Sequence, residues 1–233
     1  MKTAVSRKGK KICAFIIAVV LTVFSVVPAY AATVKFTDIT AHWARPYIEK
    51  LTAAKITTGV EVKNGVGKYA PESPVKRVEV IAMLVRLLGL EEEARTMVLP
   101  AKFPQASTVP IWAKGYVAMA VEKGIISADE DFRAEEPALR EDVAIFAVRA
   151  MGFGNEAESR TTINTKTLAF TDAHLIGLKA RPYVEVAIEK GIMAGIGGNK
   201  FDPKGKFTRA QMAKLIDNML QYKPLRNQVV GEV

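Results

Sequence analysis

Between residues 36 and 220 the apolar positions return in a helical rhythm three times over. In the last stretch Met212, Leu215, Ile216, Met219 and Leu220 fall at i, i+3, i+4, i+7 and i+8, the stripe of an amphipathic helix. Ile81, Leu84 and Leu88 make a shorter version, and Val143, Phe146, Ala147 and Ala150 a third. Another helix is predicted upstream of each stripe. Arg45-Pro46-Tyr47 and Arg181-Pro182-Tyr183 put proline where a first turn tolerates it. Tyr183, Val184, Val186, Ala187 and Ile188 crowd more than one face, so this first helix is expected to be buried on two sides. Gly124 and Gly191 close the "EKG" helix ends and suit left-handed caps. Thr208 with Gln211 three residues later predicts a capping box on the last helix.

The spacing of aromatic residues shows that these are copies of one unit. Phe36, Phe103 and Phe170 are 67 residues apart, and each opens a similar block. An aromatic then precedes an arginine by eight residues in every copy: Tyr69 and Arg77, Phe132 and Arg140, Phe201 and Arg209. A single helix-loop-helix unit cannot bury its stripe alone, so three are expected to stack on one another. The predicted fold is mainly α, with three helix-loop-helix repeats at 36–90, 103–153 and 170–220 in a pseudo-threefold helical spindle. "EEEARTMVLPAK" (91–102) and "GNEAESRTTINTKTL" (154–168) are expected to be polar linkers, with Glu91, Glu92 and Glu93 solvated, and residues 221–233 to form a tail.

Ahead of the repeats, Lys2, Arg7, Lys8, Lys10 and Lys11 precede the apolar run "ICAFIIAVVLTVFSVV" and the small residues of Ala29-Tyr30-Ala31. This is the pattern of a secretory signal peptide, 1–31, cut after Ala31. The run is shorter than the roughly 20 residues a spanning helix needs, so no membrane span is expected once the leader is removed. Losing its five basic residues takes the formal charge from +9 to +4, which does not point to nucleic acid. The single cysteine, Cys13, leaves with the leader, so no disulfide or cysteine metal site is expected.

The remaining chemistry gathers at the starts of the second helices. Neither phosphate-loop template fits there: Gly205-Lys206 is followed by Phe207, and "GIGGNK" breaks GxGxxG at Lys200. No cofactor is expected. The "FTD" block openings, Trp43 in "AHW", the "EKGI" helix ends, the glycine loop closing on "F-x-P" and "TRAQ" at 208–211 resemble the S-layer homology domain, over residues 36 to about 220. That resemblance implies a secreted protein of the bacterial cell wall or S-layer. It implies noncovalent binding of a pyruvylated secondary cell wall polysaccharide in grooves between repeats. Arg77, Arg140 and Arg209, with Asp38, Asp172, Trp43 and the loop glycines Gly59, Gly195 and Gly197, are the groove residues it implies.

The residues support that chemistry on their own terms. A guanidinium can grip a carboxylate through two parallel hydrogen bonds, and the amides of a helix start add favourable partial charge. Glycines let the backbone come close to a sugar ring, and Trp43 and Trp112 could stack on sugars or fill the core. The copies differ. Lys76 replaces the capping threonine in repeat 1 and is expected to add positive charge. Repeat 2 is degenerate, with Gln105 in place of the aspartate, no glycine in "SADEDFRAEE" and "LRED" for the tetrapeptide. Asp129, Glu130, Asp131, Glu135 and Glu136 are expected to crowd Arg140, making it structural and leaving anion binding to Arg77 and Arg209. Lys179 stands where repeat 1 has Trp43. Catalysis is not expected, since His42 and His174 sit in corresponding loops away from a nucleophile. A surface protein-protein adaptor is the alternative, and a small wall-active hydrolase using two carboxylates a weaker one.

Overall fold

A computed structural model describes residues 34–160 and 168–222. The leader, residues 161–167 and the tail beyond Tyr222 lie outside the described residues, and with them the expected signal peptide. Eight α-helices are described: α1 (Arg45–Ala53), α2 (Arg77–Leu87), α3 (Glu91–Thr96), α4 (Lys114–Glu122), α5 (Arg140–Ala150), α6 (Gly154–Glu158), α7 (Arg181–Glu189) and α8 (Arg209–Met219). The pairs α1/α2, α4/α5 and α7/α8 are the three repeats. Among the described residues no helix is long and apolar enough to cross a membrane.

The second helix of each repeat packs on the first helix of the next: α2 on α4, α5 on α7, and α8 back on α1. That closure makes the pseudo-threefold spindle. Its core is one continuous cluster in which Ile81, Leu84, Phe146, Ala147, Met212 and Ile216 from the three stripes are all buried. A ring of backbone hydrogen bonds ties the entries of the second helices together. Val75 N donates to Phe207 O (2.8 Å), Phe207 N to Ala138 O (2.9 Å) and Ala138 N to Val75 O (2.9 Å).

The predicted caps are in place. Thr208 and Gln211 exchange reciprocal hydrogen bonds at the start of α8, and Gly124 and Gly191 sit at φ +66° and +67°. In repeat 1 the same position is Lys55, held at φ +58° without the freedom of glycine.

Two expectations change. The segments read as solvated linkers carry helices α3 and α6, which pack on α4 and α7. Glu91 is not free in water: it accepts a hydrogen bond from Tyr116 and pairs with Arg86 at 3.2 Å. Burial works to raise its carboxyl, but these donors outweigh it and hold the group below its ordinary value. α3 and α6 also explain why two-sided burial does not extend to α1. α4 and α7 are covered on a second side by these short helices, whereas α1 buries only Ile48 and Leu51. Repeat 1 instead carries a three-stranded sheet in the order β1-β3-β2, with β1 (Lys35–Phe36), β2 (Glu61–Lys63) and β3 (Val66–Lys68). Asn64 and Gly65 both take positive φ in its hairpin, a local turn signal that the helical reading passed over.

Candidate functional site

Each of the three arginines begins its helix and crosses into another repeat. Arg77 Nε donates to Phe132 O (2.6 Å), Arg140 Nη2 to Ala194 O (2.6 Å), and Arg209 to Tyr69 O (2.8 Å) and Thr58 O (2.6 Å). The ring closes as repeat 1 to 2, 2 to 3 and 3 to 1. Aromatic faces receive each guanidinium: Phe132 and Phe146 for Arg77, Phe201 and Phe207 for Arg140, and Tyr69 for Arg209. The aromatic eight residues ahead of the arginine thus serves the arginine of the neighbouring repeat. All three side chains are buried.

Helix-start amides are not available to a ligand, contrary to the sequence expectation. The first amides of the second helices donate to backbone carbonyls of another repeat: Arg77 N to Glu136 O (2.9 Å), Arg140 N to Gly205 O (2.9 Å), Arg209 N to Ser73 O (3.0 Å). Assembly of the spindle consumes them. What reaches a groove is the guanidinium.

Two grooves are built alike. The first, about 330 Å³, is lined by Arg140 from repeat 2, Trp43 from repeat 1, and the 192–196 loop with Gln211, Lys214, Leu215 and Asn218 from repeat 3. The second, about 260 Å³, is lined by Arg209 from repeat 3, Trp112 from repeat 2, and Thr57, Thr58, Glu79, Ala82, Met83 and Arg86 from repeat 1. Both lie near the lower end of the roughly 300–1,000 Å³ of small-molecule sites. Trp43 and Trp112 are 54% and 53% exposed, so neither is a core residue, and each, just ahead of the first helix of its repeat, leans edge-on against a tyrosine in that helix.

Electrostatics separates the two grooves. Among the described residues Arg140 has no carboxylate in ion-pair range, and its Nε has no hydrogen-bond acceptor. Burial draws its pKa down to about 10, while the charge of Asp202 opposes the shift. It is still a cation at neutral pH. Lys214 adds a second cation, stacked 4.4 Å from the Tyr47 ring centre with Asp217 at 3.8 Å on its own helix, and the nearby amide of Gln211 is neutral. In the other groove Arg209 has Glu79 at 3.9 Å.

Several expected groove residues do other work. The acids thought to crowd Arg140 lie elsewhere: Glu130 pairs with Arg77 (3.2 Å), Glu135 with Lys76 (2.5 Å) and Glu136 with Arg133 (3.0 Å). The reason is the cyclic crossing, which sets the repeat 2 loop against the arginine of repeat 1. Lys76 is accordingly a paired cation rather than spare positive charge. Asp38 and Asp172 pair with none of the three arginines. Asp38 accepts from the amides of Tyr69 (2.9 Å) and Ala70 (2.8 Å), and Asp172 from those of Phe201 (2.9 Å) and Asp202 (2.8 Å). They fix the loops that carry the aromatic platforms. Gly59 and Gly195 are required by crowding, since a Cβ would sit 2.5 Å from Phe36 and 2.8 Å from Phe170. Gly195 lines the Arg140 groove, whereas Gly197, at φ +100°, shapes a turn beside it. Glu79, Lys214 and Gln211 were missed as groove residues. Their only sequence signal is that they follow the arginine on its own helix, and the arginine each one faces comes from a different repeat.

A family model for the S-layer homology domain matches residues 35–81, 103–144 and 169–213, more than half of the chain. The chain belongs to the S-layer homology domain family. Its three S-layer homology repeats are similar to part of an amylopullulanase of Thermoanaerobacterium thermosulfurigenes, 30% identical over 86% of this chain and 10% of that protein. They are also similar to a cellulosome-anchoring protein of Acetivibrio thermocellus, 24% identical over 70% of this chain and 36% of that protein. An S-layer protein of Bacillus thuringiensis subsp. finitimus is 24% identical over 89% of this chain and 24% of its own length. The chain spans only 10–18% of the enzymes it matches, so their activities do not follow from the likeness. S-layer homology repeats are cell-surface anchoring modules, and this protein is cell-surface and cell-wall associated.

Proposed function

We propose that the protein holds to the bacterial cell wall noncovalently by binding a pyruvylated secondary cell wall polysaccharide, with the ketal carboxylate seated on Arg140 and Arg209 and a sugar ring against Trp43 or Trp112. The observation that carries this reading is the state of Arg140. A buried cation without a carboxylate partner, opening on a groove with an exposed indole on one wall and Lys214 on another, is an unfinished charge arrangement. Burying a charge is costly unless it is paired, and a ligand carboxylate would supply the pair. Apolar side chains at Met193, Ile196 and Leu215 offer a surface to methyl and ring C–H groups of an acetylated or ketal-bearing sugar. The wall-bound setting of the family supports a polymer ligand over a diffusible one.

Retention on purified wall polymer tests the reading. Wild-type protein is expected to be retained, Arg140→Met with Arg209→Met to wash through, and mild-acid removal of pyruvate from the polymer to abolish retention. Binding that survives pyruvate removal would defeat the carboxylate assignment. Binding that follows protease-sensitive wall components would favour a protein partner instead.

A further inference from the structure

The three arginines are equivalent in sequence and in their crossing between repeats, yet one of them is finished. Arg77 is 4% exposed, and all three of its guanidinium nitrogens are engaged within the chain. Nε donates to Phe132 O, Nη1 pairs with Asp142 and Nη2 with Glu130 at 3.2 Å. Asp142 stands at the same helix position as Glu79 and Gln211, so the three grooves form a series. An acid lies in contact with Arg77, an acid at 3.9 Å faces Arg209, and a neutral amide lines the groove of Arg140. Among the described residues no loop acid of the other two repeats pairs with the arginine that faces it, and Arg209 and Arg140 instead meet the carbonyls of Thr58 and Ala194. A second cation holds Glu130 in place, Arg149 at 3.7 Å.

Resting on the reading of Arg140 and Arg209 as carboxylate sites, we infer that Glu130 and Asp142 are a built-in ligand. Their carboxylates occupy the Arg77 guanidinium where a glycan carboxylate would sit, so the protein has two glycan sites and a third position converted into a clamp between repeats 1 and 2. Occupancy from within costs the chain no association entropy, so a free carboxylate competes poorly for the same guanidinium. The other wall of the position points the same way. Where the two grooves have Trp43 and Trp112, the corresponding residue is the exposed Lys179, which offers no stacking face.

The double variant Glu130→Ser with Asp142→Gln tests this, because glutamine at the equivalent position of α8 still caps its helix. Calorimetric titration with a methyl hexoside bearing a pyruvate ketal is expected to give two equivalents for the wild type and three for the double variant that also carries Lys179→Trp to supply the missing stacking face. Adding Arg77→Met should return the count to two. Three equivalents in the wild type, or two in the triple variant, would overturn the inference. A second measurement does not depend on the sugar: the Arg77 Nε–H resonance followed during titration with pyruvate. It should stay fixed in the wild type and move in the double variant, or in Glu130→Gln if the double variant folds poorly. Movement in the wild type, or none in either variant, rejects the built-in ligand. A wild type that binds no hexoside while Arg77 responds only after substitution rejects the glycan reading and leaves the occupancy of Arg77 intact.

Discussion

Replacing Arg140 by methionine should separate binding from stability. Burial moves the Arg140 pKa down to about 10, and at 1.36 kcal/mol per pH unit the fold disfavours the charge by about 3 kcal/mol. Against that cost stand one charge-assisted bond to Ala194 O, about 1.5–3 kcal/mol, and contacts with the Phe201 and Phe207 rings, about 0.5–1 kcal/mol each. Methionine keeps the apolar stem, recovers part of the ring contact through sulfur and removes the desolvation cost. Gain and loss nearly cancel, and Arg140→Met should change stability by no more than about 1 kcal/mol. Arg77→Met is the contrast. It strands Glu130 and Asp142, and breaking a buried pair costs about 3–5 kcal/mol, reduced to roughly 2–4 because the two acids are 25% and 20% exposed. For a domain of this size about 2–4 °C follows each kcal/mol. Thermal unfolding by far-UV circular dichroism should therefore drop by roughly 5–15 °C for Arg77→Met and by less than about 4 °C for Arg140→Met. Wall retention should behave the opposite way, weakened by Arg140→Met and preserved by Arg77→Met at temperatures where both are folded. Equal melting losses for the two variants would refute the claim that Arg77 is internally paired and Arg140 is not.

Other consequences can be measured independently. The two tryptophans line different grooves, so Trp112→Phe leaves Trp43 as the sole fluorescent reporter of the Arg140 groove, and its emission should respond to wall glycan with no change in melting temperature. Lys55→Gly should stabilise repeat 1 by up to about 1 kcal/mol in urea unfolding, because Lys55 holds a left-handed cap that glycine adopts freely. Gly195→Ala places a methyl 2.8 Å from both Phe170 and Lys200 O and should cost about 1–3 kcal/mol on the same assay. Burial works to raise the carboxyls of Asp38 and Asp172, and the two loop amides on each, with the residue's own amide and a nearby lysine, outweigh it, so both lie below the ordinary value. Their contribution to stability is full above the unfolded carboxylate pKa of about 3.9 and is lost as pH falls through the folded value. Asp172→Asn should therefore weaken the fold at neutral pH and flatten its acid-side decline.

Much of this was readable because it is local. The stripe from Met212 to Leu220, the Thr208–Gln211 box and the glycine caps involve residues within a turn or two of one another, and the eight-residue step from aromatic to arginine survives in all three copies. The partners of the arginines were not readable in the same way. Arg209 meets Thr58 across 151 residues, and Arg140 meets Ala194 across 54. Reading each repeat as self-contained placed the acidic loop beside its own Arg140, and the cyclic crossing hands that loop to Arg77 instead. The helix starts misled for a related reason, since their free amides are free only until the neighbouring repeat docks.

The sequence alone determined the helical repeats, their number and their caps, because hydrophobic period, proline and glycine act through the backbone within a few residues. Only the tertiary structure decided which arginine is left with unmet charge. Burial, aromatic faces and carboxylates reach each guanidinium from other repeats, and electrostatic pairing depends on distance in space rather than on order along the chain.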